Sequence, residues 1–418
     1  MKTDNLNNGQ KSYISAVVRK SGGRLSEEAS FAIAAKLDVP VGVITEYAIS
    51  KHWLGQDEST AKLAQKLHLQ KEELSTLRKQ QKASITHDAY LDMVKEQIHR
   101  VCPAMPPLPR APMQVREGSD IQTESLVMHV SDEHADQIVH PDSVNGLENY
   151  NFQVALRRAE NYVSSVLKFT QKTLKNYKFP TLWMLCYGDH VNGAIHKGTE
   201  RSAYRNDFAN AIAVGQMHAL MVRDLSPYFE RVICVYVPGN HGRQSTEKDY
   251  DNALRNLDYL VAETNSAYCR DIPNVEFLVP NAHSVNVDIE GHTFNISHGD
   301  DITGSSGIPW YGIERRNRRL QAVHGYHGKN IRYKVMGHWH NAINLSDPVG
   351  ETIVNGSWKA TDAYLYNKFG GFNEPVQWLH GVNQSRGITW RLPIHLRSPD
   401  DSKGPQRYKV SLLSNHGN

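Results

Sequence analysis

Short apolar runs alternate with long amphipathic stretches through the middle of this chain. SLVMHV (125–130), TLWMLCY (181–187) and RVICVYV (231–237) are separated by NFQVALRRAENYVSSVLKFTQKTLKNY (151–177) and SAYRNDFANAIAVGQMHALMVRDL (202–225). Six or seven apolar residues closed by turn residues read as a strand covered on both faces, and apolar positions recurring every three or four residues read as a helix. The alternation predicts an α/β sandwich of strands flanked by helices. HSVNVDIEGHTFNIS (283–297) changes to a period of two and predicts a hairpin turning at Glu290 and Gly291. The aromatic and Gly-rich stretch that ends in VQWLHGV (376–382) is expected to close the second sheet of the sandwich.

The first hundred residues follow a helical pattern. Ala34, Leu37, Val39, Ile44 and Tyr47 recur thirty residues later as Ala64, Leu67, Leu69, Leu74 and Leu77. Both sets match a helix-turn-helix, in which a small residue admits the second helix and apolar residues seal the angle between the two. Asp38 and His68 stand where glycine is favoured in the turn, and a purely structural helical hairpin accounts for the pattern as well. Lys71, Arg78, Lys79 and Lys82 lie on or just past the second candidate recognition helix, but residues 1–100 hold 15 Lys+Arg against 12 Asp+Glu, a weak footprint for DNA. Five prolines within 101–113 favour an extended spacer. The expected domains are a helical domain over 1–100 with two helix-turn-helix-like repeats, a Pro-rich linker over 101–120, a catalytic domain over 121–397 and a polar tail over 398–418.

With 418 residues, 39% hydrophobic and 22% charged, the composition is that of a globular protein of more than one domain. No apolar run is long enough for a membrane helix and the N-terminus has no apolar signal core, so a cytoplasmic location without membrane association is expected. The four cysteines form no CxxC pair, which argues against a zinc knuckle or a disulfide framework. The unusual count is 21 histidines.

Those histidines gather at strand ends. In VYVPGNHGR (235–243), Asn240, His241 and Arg243 crowd a glycine turn that, alone, reads as an ordinary hairpin. Upstream, the extended chain leaving SLVMHV would aim Asp132 and His134 to one side, and TLWMLCY ends in Gly188 and Asp189. Downstream stand His298 and, in YKVMGHWH, His338 and His340. The succession Asp-x-His, Gly-Asp, Gly-Asn-His, a lone His and Gly-His-x-His over about 125–345 resembles the calcineurin-like metallophosphoesterase family, particularly its phage or mobile-element members.

The resemblance implies a four-layer αββα sandwich and a dinuclear centre. One divalent metal would be held by Asp132, His134 and His340 and the other by Asn240, His298 and His338, with Asp189 bridging. Mixed imidazole and carboxylate donors suit Mn, the favoured expectation, or Fe or Zn, better than Mg. Two such cations activate water and stabilise the charge of an in-line displacement on phosphorus. The resemblance makes His241 the general acid or a donor to the transition state. Where the family commonly continues with an acidic residue orienting this histidine, Gly242 stands, so another carboxylate takes that role or the histidine goes unassisted. Arg243 is either a phosphate clamp or a surface ion pair. GDHVNGA lacks the Asp-Arg-Gly extension of the serine/threonine protein phosphatases, which weakens that reading.

After His298, a Gly/Ser-rich loop and Trp310 and Tyr311 precede Arg315, Arg316, Arg318 and Arg319, a composition that suits base stacking and phosphate contact but also an exposed basic helix start. The leading expectation is a phosphodiesterase acting by metal-activated water on nucleic acid, specifically a DNA-directed nuclease. The alternatives are a small-molecule phosphoesterase for cyclic nucleotides, dinucleotides or phosphomonoesters, and a DNA-binding protein whose phosphoesterase domain is mainly structural.

Overall fold

A computed structural model describes residues 6–53, 89–112, 120–195, 206–302, 308–398 and 406–410. The chain divides into two compact units, Met1–Val94 and Lys95–Asn418.

The first unit contains α1 (Asn8–Lys20), α2 (Glu27–Leu37) and α3 (Val41–Ser50). Asn7 and Gln10 form a reciprocal capping box at the start of α1, and the Ser26 hydroxyl accepts from the Ala29 N–H at the start of α2. Asp38 ends α2 in the left-handed region at φ 51°. Aspartate tolerates that conformation better than most residues, so the turn forms without the favoured glycine. Ala34, Ile44 and Tyr47 are buried in one cluster with Ile14, Val18 and Ile33, so α2 and α3 pack together with α1. The second helix of the first copy, α3, carries no Lys or Arg. The second copy, from Ala64 to Leu77, and the basic residues Lys71, Arg78, Lys79 and Lys82 lie outside the described residues.

Residues 89–101 form α4, of which residues 95–101 belong to the second unit. Lys95 and His99 of this helix face Glu263 at 3.4 Å. The described residues of the proline-rich stretch after it have no helix or strand, yet they are held at several points. The Met105 N–H donates to Tyr268 O (2.7 Å), the Ala111 N–H to Pro227 O (3.1 Å), and the Arg110 guanidinium to Phe229 O. Described residues of the expected linker therefore belong to the second compact unit.

The remaining strands are β1 (Gln122–Thr123), β2 (Ser125–Val130), β3 (Tyr177–Lys178), β4 (Thr181–Cys186), β5 (Arg231–Tyr236), β6 (Val275–Leu278), β7 (Ser284–Ile289), β8 (His292–Ser297), β9 (Ile331–Met336), β10 (Ile343–Asp347), β11 (Gly350–Val354), β12 (Val376–Asn383) and β13 (Gly387–His395). The helices are α5 (Phe152–Lys168), α6 (Asp207–Leu225), α7 (Leu257–Cys269), α8 (Trp310–Tyr326) and α9 (Ala363–Phe369). A six-stranded sheet runs β13-β12-β2-β4-β5-β6, a five-stranded sheet runs β10-β11-β9-β8-β7, and β1 pairs with β3. From β2 to β6 the first sheet is parallel, so its central strands must be covered on both faces. Every residue of β2 is buried.

Alternate residues of these strands meet the other sheet. Val127, Leu185, Ile233 and Val235 share a core with Ile289, Phe294, Ile296, Tyr333, Val335 and Ile353. Each such side chain contributes about 1.5–3 kcal/mol by leaving water. The hairpin between β7 and β8 turns at Glu290 and Gly291, both with positive φ, as a tight two-residue turn requires. One expectation is corrected: VQWLHGV does not close the second sheet. As β12 it pairs antiparallel with β2 and extends the first sheet, because an antiparallel neighbour needs only local register with β2 and no crossover helix. The four cysteines are free and buried. Among the described residues no helix is long and apolar enough to cross a membrane.

Candidate metal centre

The centre forms where strands β2, β4, β5, β8 and β9 end. The loop after β2 runs beside the loop after β4, with the Asp132 N–H donating to Gly188 O (3.1 Å), His134 N–H to Asp189 O (2.9 Å) and Ala135 N–H to His190 O (3.1 Å). The chain at Asp132 and His134 is not extended, as the alternation argument assumes. Both residues are left-handed, at φ 53° and 41°, as are Asp189 (54°), His338 (71°) and His340 (54°). Each costs of order 1–3 kcal/mol unless its surroundings compensate, and such residues cluster at functional sites.

All seven metal-ligand candidates come together. The His134 Nε2 lies 3.1 Å from His340 Nε2, and His340 Nε2 lies 3.5 Å from Asp132 Oδ1. On the other side, Asn240 Oδ1 sits 3.2 Å from His298 Nε2 and 3.0 Å from His338 Nδ1. Asp189 lies between the two groups, its Oδ2 3.0 Å from His298 Nε2 and 4.0 Å from His134 Nε2. Donor atoms sharing one cation at ~2.1 Å are roughly 3.0–3.4 Å apart, the spacing most of these contacts adopt. His298 donates its other ring nitrogen, Nδ1, to Tyr187 O (2.9 Å), which aims Nε2 inward. The residues therefore fit divalent cations.

Charge in the centre supports that fit. Burial drives His134 well below the ordinary imidazole value, His338 to about 4 and His340 to about 3, so all three are neutral, lone-pair donors near neutrality. Burial, together with the nearby Asp189 charge, raises Asp132 to about 7 against the pull of His298. His298 is raised to about 10, Asp189 overcoming the burial that opposes its proton. Two buried carboxylates that repel each other and share a cationic neighbour are the environment a bound metal relieves.

Close approach of backbone to ligand is part of the design. A Cβ built on Gly337 would lie 2.2 Å from Asp132 Oδ2 and 2.9 Å from Ser131 Oγ. Gly337→Ala is expected to displace Asp132 and weaken Mn²⁺ binding about 10–100-fold while the protein stays folded, the scale seen when support of a metal ligand is removed. Calorimetric titration with Mn²⁺ beside a circular dichroism spectrum checks this.

His241 is half-buried, and its ring stands edge-on to that of His134, with centroids 4.5 Å apart. Its backbone N–H donates to Asp189 Oδ1 (2.8 Å), and its Nδ1 lies 2.9 Å from Asn192 O. No acidic residue holds this imidazole through that contact; a backbone carbonyl does. Arg243 folds back on the same turn, its Nε donating to Asn240 O (3.0 Å).

Several residues missed in the sequence brace the centre from behind. Glu133, between Asp132 and His134, points the other way and is fully buried. Its Oε2 accepts from His190 Nδ1 (2.5 Å) and His218 Nε2 (2.8 Å), and His218 Nδ1 meets Tyr236 Oη (2.8 Å). These separations are those of charge-assisted hydrogen bonds and are too short for ligands around a shared ion. Although its burial acts in the opposite direction, the two imidazoles hold the Glu133 carboxyl at about 2. Asp258 accepts the backbone N–H groups of Asp189 (3.1 Å), His190 (3.2 Å) and Gly239 (2.8 Å), locking the loops after β4 and β5 together. The alternation in Asp132-Glu133-His134, and a second histidine directly after Asp189, were the available signals for the buried pair.

No family model and no curated protein matches this chain. Among solved structures it is similar to an archaeal phosphodiesterase, with 9% identity over 64% of this chain and 99% of that one and a TM-score of 0.30. It is also similar to zinc-complexed Vps29 from Entamoeba histolytica (10% identity, 65% of this chain and 99% of that chain, TM-score 0.28). A third is YfcE, a phosphoesterase from E. coli (14% identity, 65% of this chain and 100% of that chain, TM-score 0.28).

Proposed function

We propose that the second unit is a calcineurin-like metallophosphoesterase of the αββα kind and that it hydrolyses phosphodiester bonds in nucleic acid, with DNA as substrate. The observation that carries the hydrolase reading is the convergence of Asp132, His134, Asp189, Asn240, His298, His338 and His340 in two donor groups flanking Asp189. Asp132, His134 and His340 would hold one cation, Asn240, His298 and His338 the other, and Asp189 both. When bound, two divalent ions, Mn²⁺ in the first place, supply Lewis-acid stabilisation of phosphoryl oxygens and lower the pKa of water. His241, beside that centre, protonates the leaving oxygen.

The substrate class rests on α8. Its Trp310, Tyr311, Arg315 and Arg319 are exposed, Arg318 is exposed and paired with Glu314 one turn away, and Arg316 is committed to Asp301 at 2.9 Å. Ile313 of the same helix packs in a cluster with Trp339, which stands between His338 and His340, so the exposed start of α8 borders the centre. Aromatic rings for bases and guanidinium groups for phosphates make a track for a polynucleotide. The test is hydrolysis by metal-stripped protein with Mn²⁺ restored, on a chromogenic diester, its monoester, and single- and double-stranded DNA. The triple variant Arg315→Ala, Arg318→Ala, Arg319→Ala is expected to turn over the chromogenic diester normally. Its DNA binding should weaken, and the salt slope should flatten by ~0.9 for each phosphate that is no longer neutralised. Unchanged DNA affinity and slope would remove α8 from the track.

A second reading has its own support. Because α3 carries no Lys or Arg, the first helical hairpin offers no cation from its second helix to DNA phosphate. Turnover of small esters without cutting of DNA would select a small-molecule phosphoesterase.

A further inference from the structure

We propose that Asp136 is a positioning residue for His241, acting through the backbone of Asn192. A carbonyl oxygen can only accept, so the 2.9 Å contact between His241 Nδ1 and Asn192 O requires an Nδ1–H donor. That fixes the neutral ring with its proton on Nδ1, and a second proton must enter at Nε2. The same residue is gripped at its other backbone group: the Asn192 N–H, in the preceding peptide unit, donates to Asp136 Oδ1 at 2.6 Å. Asp136 Oδ2 in turn accepts from Asn210 Nδ2 of α6 at 2.7 Å. Asp136, Asn192 and Asn210 are all buried, so this chain of contacts exchanges little with water.

Steric fit holds the opposite side. Gly193 has φ +57°, and a Cβ there would lie 2.1 Å from His241 O. The loop after β4 and the turn after β5 thus touch both at the imidazole and at the backbone of the same residue. Asp136 belongs to the loop after β2, so its carboxylate ties that loop to the loop after β4, whose Asn192 carbonyl meets the turn after β5. The orienting carboxylate absent after His241 is supplied at one remove, with the backbone of Asn192 between it and the ring.

The catalytic consequence rests on the phosphodiesterase reading; the tautomer does not, and the experiment separates them. Ring-nitrogen NMR of histidine-labelled full-length protein, with the His241 signal identified by its disappearance in His241→Gln, is expected to show the Nδ1–H tautomer in the parent protein. Asp136→Ala should give a mixture of tautomers. Asp136→Asn should restore the parent pattern, because an amide still accepts from Asn192 and, once the Asn210 amide turns over, can donate to Asn210 Oδ1, which has no partner among the described residues. In parallel, the phenyl and 4-nitrophenyl esters of thymidine 5′-phosphate differ only in how much the leaving oxygen needs a proton. Asp136→Ala is expected to slow the phenyl ester about 10–100-fold and the nitrophenyl ester less than about 3-fold. Combined with His241→Gln it should add nothing further.

An Nε2–H tautomer in the parent protein would overturn the proposal without any variant. So would Asp136→Ala leaving the tautomer unchanged, or slowing both esters equally. If neither ester is hydrolysed while the tautomer responds to Asp136→Ala and recovers in Asp136→Asn, positioning stands and the phosphodiesterase reading fails.

Discussion

Asp189→Ala is expected to abolish Mn²⁺-dependent hydrolysis of every phosphodiester the protein accepts, by about 10³-fold or more, the scale on which residues acting as one catalytic unit fail together. Its Oδ2 faces both His298 and His134, and its Oδ1 accepts the His241 N–H, so one truncation removes a donor from both metal groups and frees the turn bearing the candidate acid. Without that carboxylate, His298 loses the largest of the charges that raise it to about 10. Metal content by mass spectrometry should fall alongside activity, while circular dichroism stays unchanged. Activity within tenfold of the parent protein, with metal retained, would contradict the bridging role.

Glu133→Gln should destabilise the fold by about 3–5 kcal/mol, the cost of removing one partner from a buried ion pair. Glu133, His190 and His218 are all fully buried, and among the described residues this carboxylate is the only acid in hydrogen-bond contact with both rings. The pH dependence has a definite sign. A carboxyl held at about 2, against an unfolded value of ~4.3, contributes stability that is present above about pH 4.5 and lost as pH falls toward 2. His190 is raised by the same contact, with burial opposing, and its contribution is present below its unfolded value and lost as pH rises through its folded one. Urea unfolding of chelator-treated protein should therefore show the largest gap between parent and variant near pH 5–6 and a narrowing gap below pH 4.5. A gap independent of pH would mean that shape, not charge, is what Glu133 contributes.

Much of the scaffold was legible. The apolar runs became β2, β4 and β5, the period-two stretch became the β7–β8 hairpin, and the spacing of Ala34, Ile44 and Tyr47 became a packed helical hairpin. Those features depend on side-chain patterns a few residues long, where burial alone selects the conformation. The assignment of VQWLHGV to the second sheet failed for the complementary reason. Its apolar pattern suits either sheet, and only pairing with β2, some 250 residues earlier, selects one.

The candidate centre divides along the same line. By itself the sequence determined which donor atoms are available and in what order they leave the strands, because residue type sets donor chemistry and Asp132, Asp189, Asn240 and the histidines each stand at the end of an apolar run. Only the tertiary structure decided how they are aimed and held: the left-handed backbone at five candidate ligand positions, the Asn192 carbonyl beneath His241, and the Asp258 carboxylate on three backbone N–H groups. Carbonyls and amides are the same at every residue and leave no mark in the sequence. Which of them meets a side chain depends on loops brought together from distant parts of the chain.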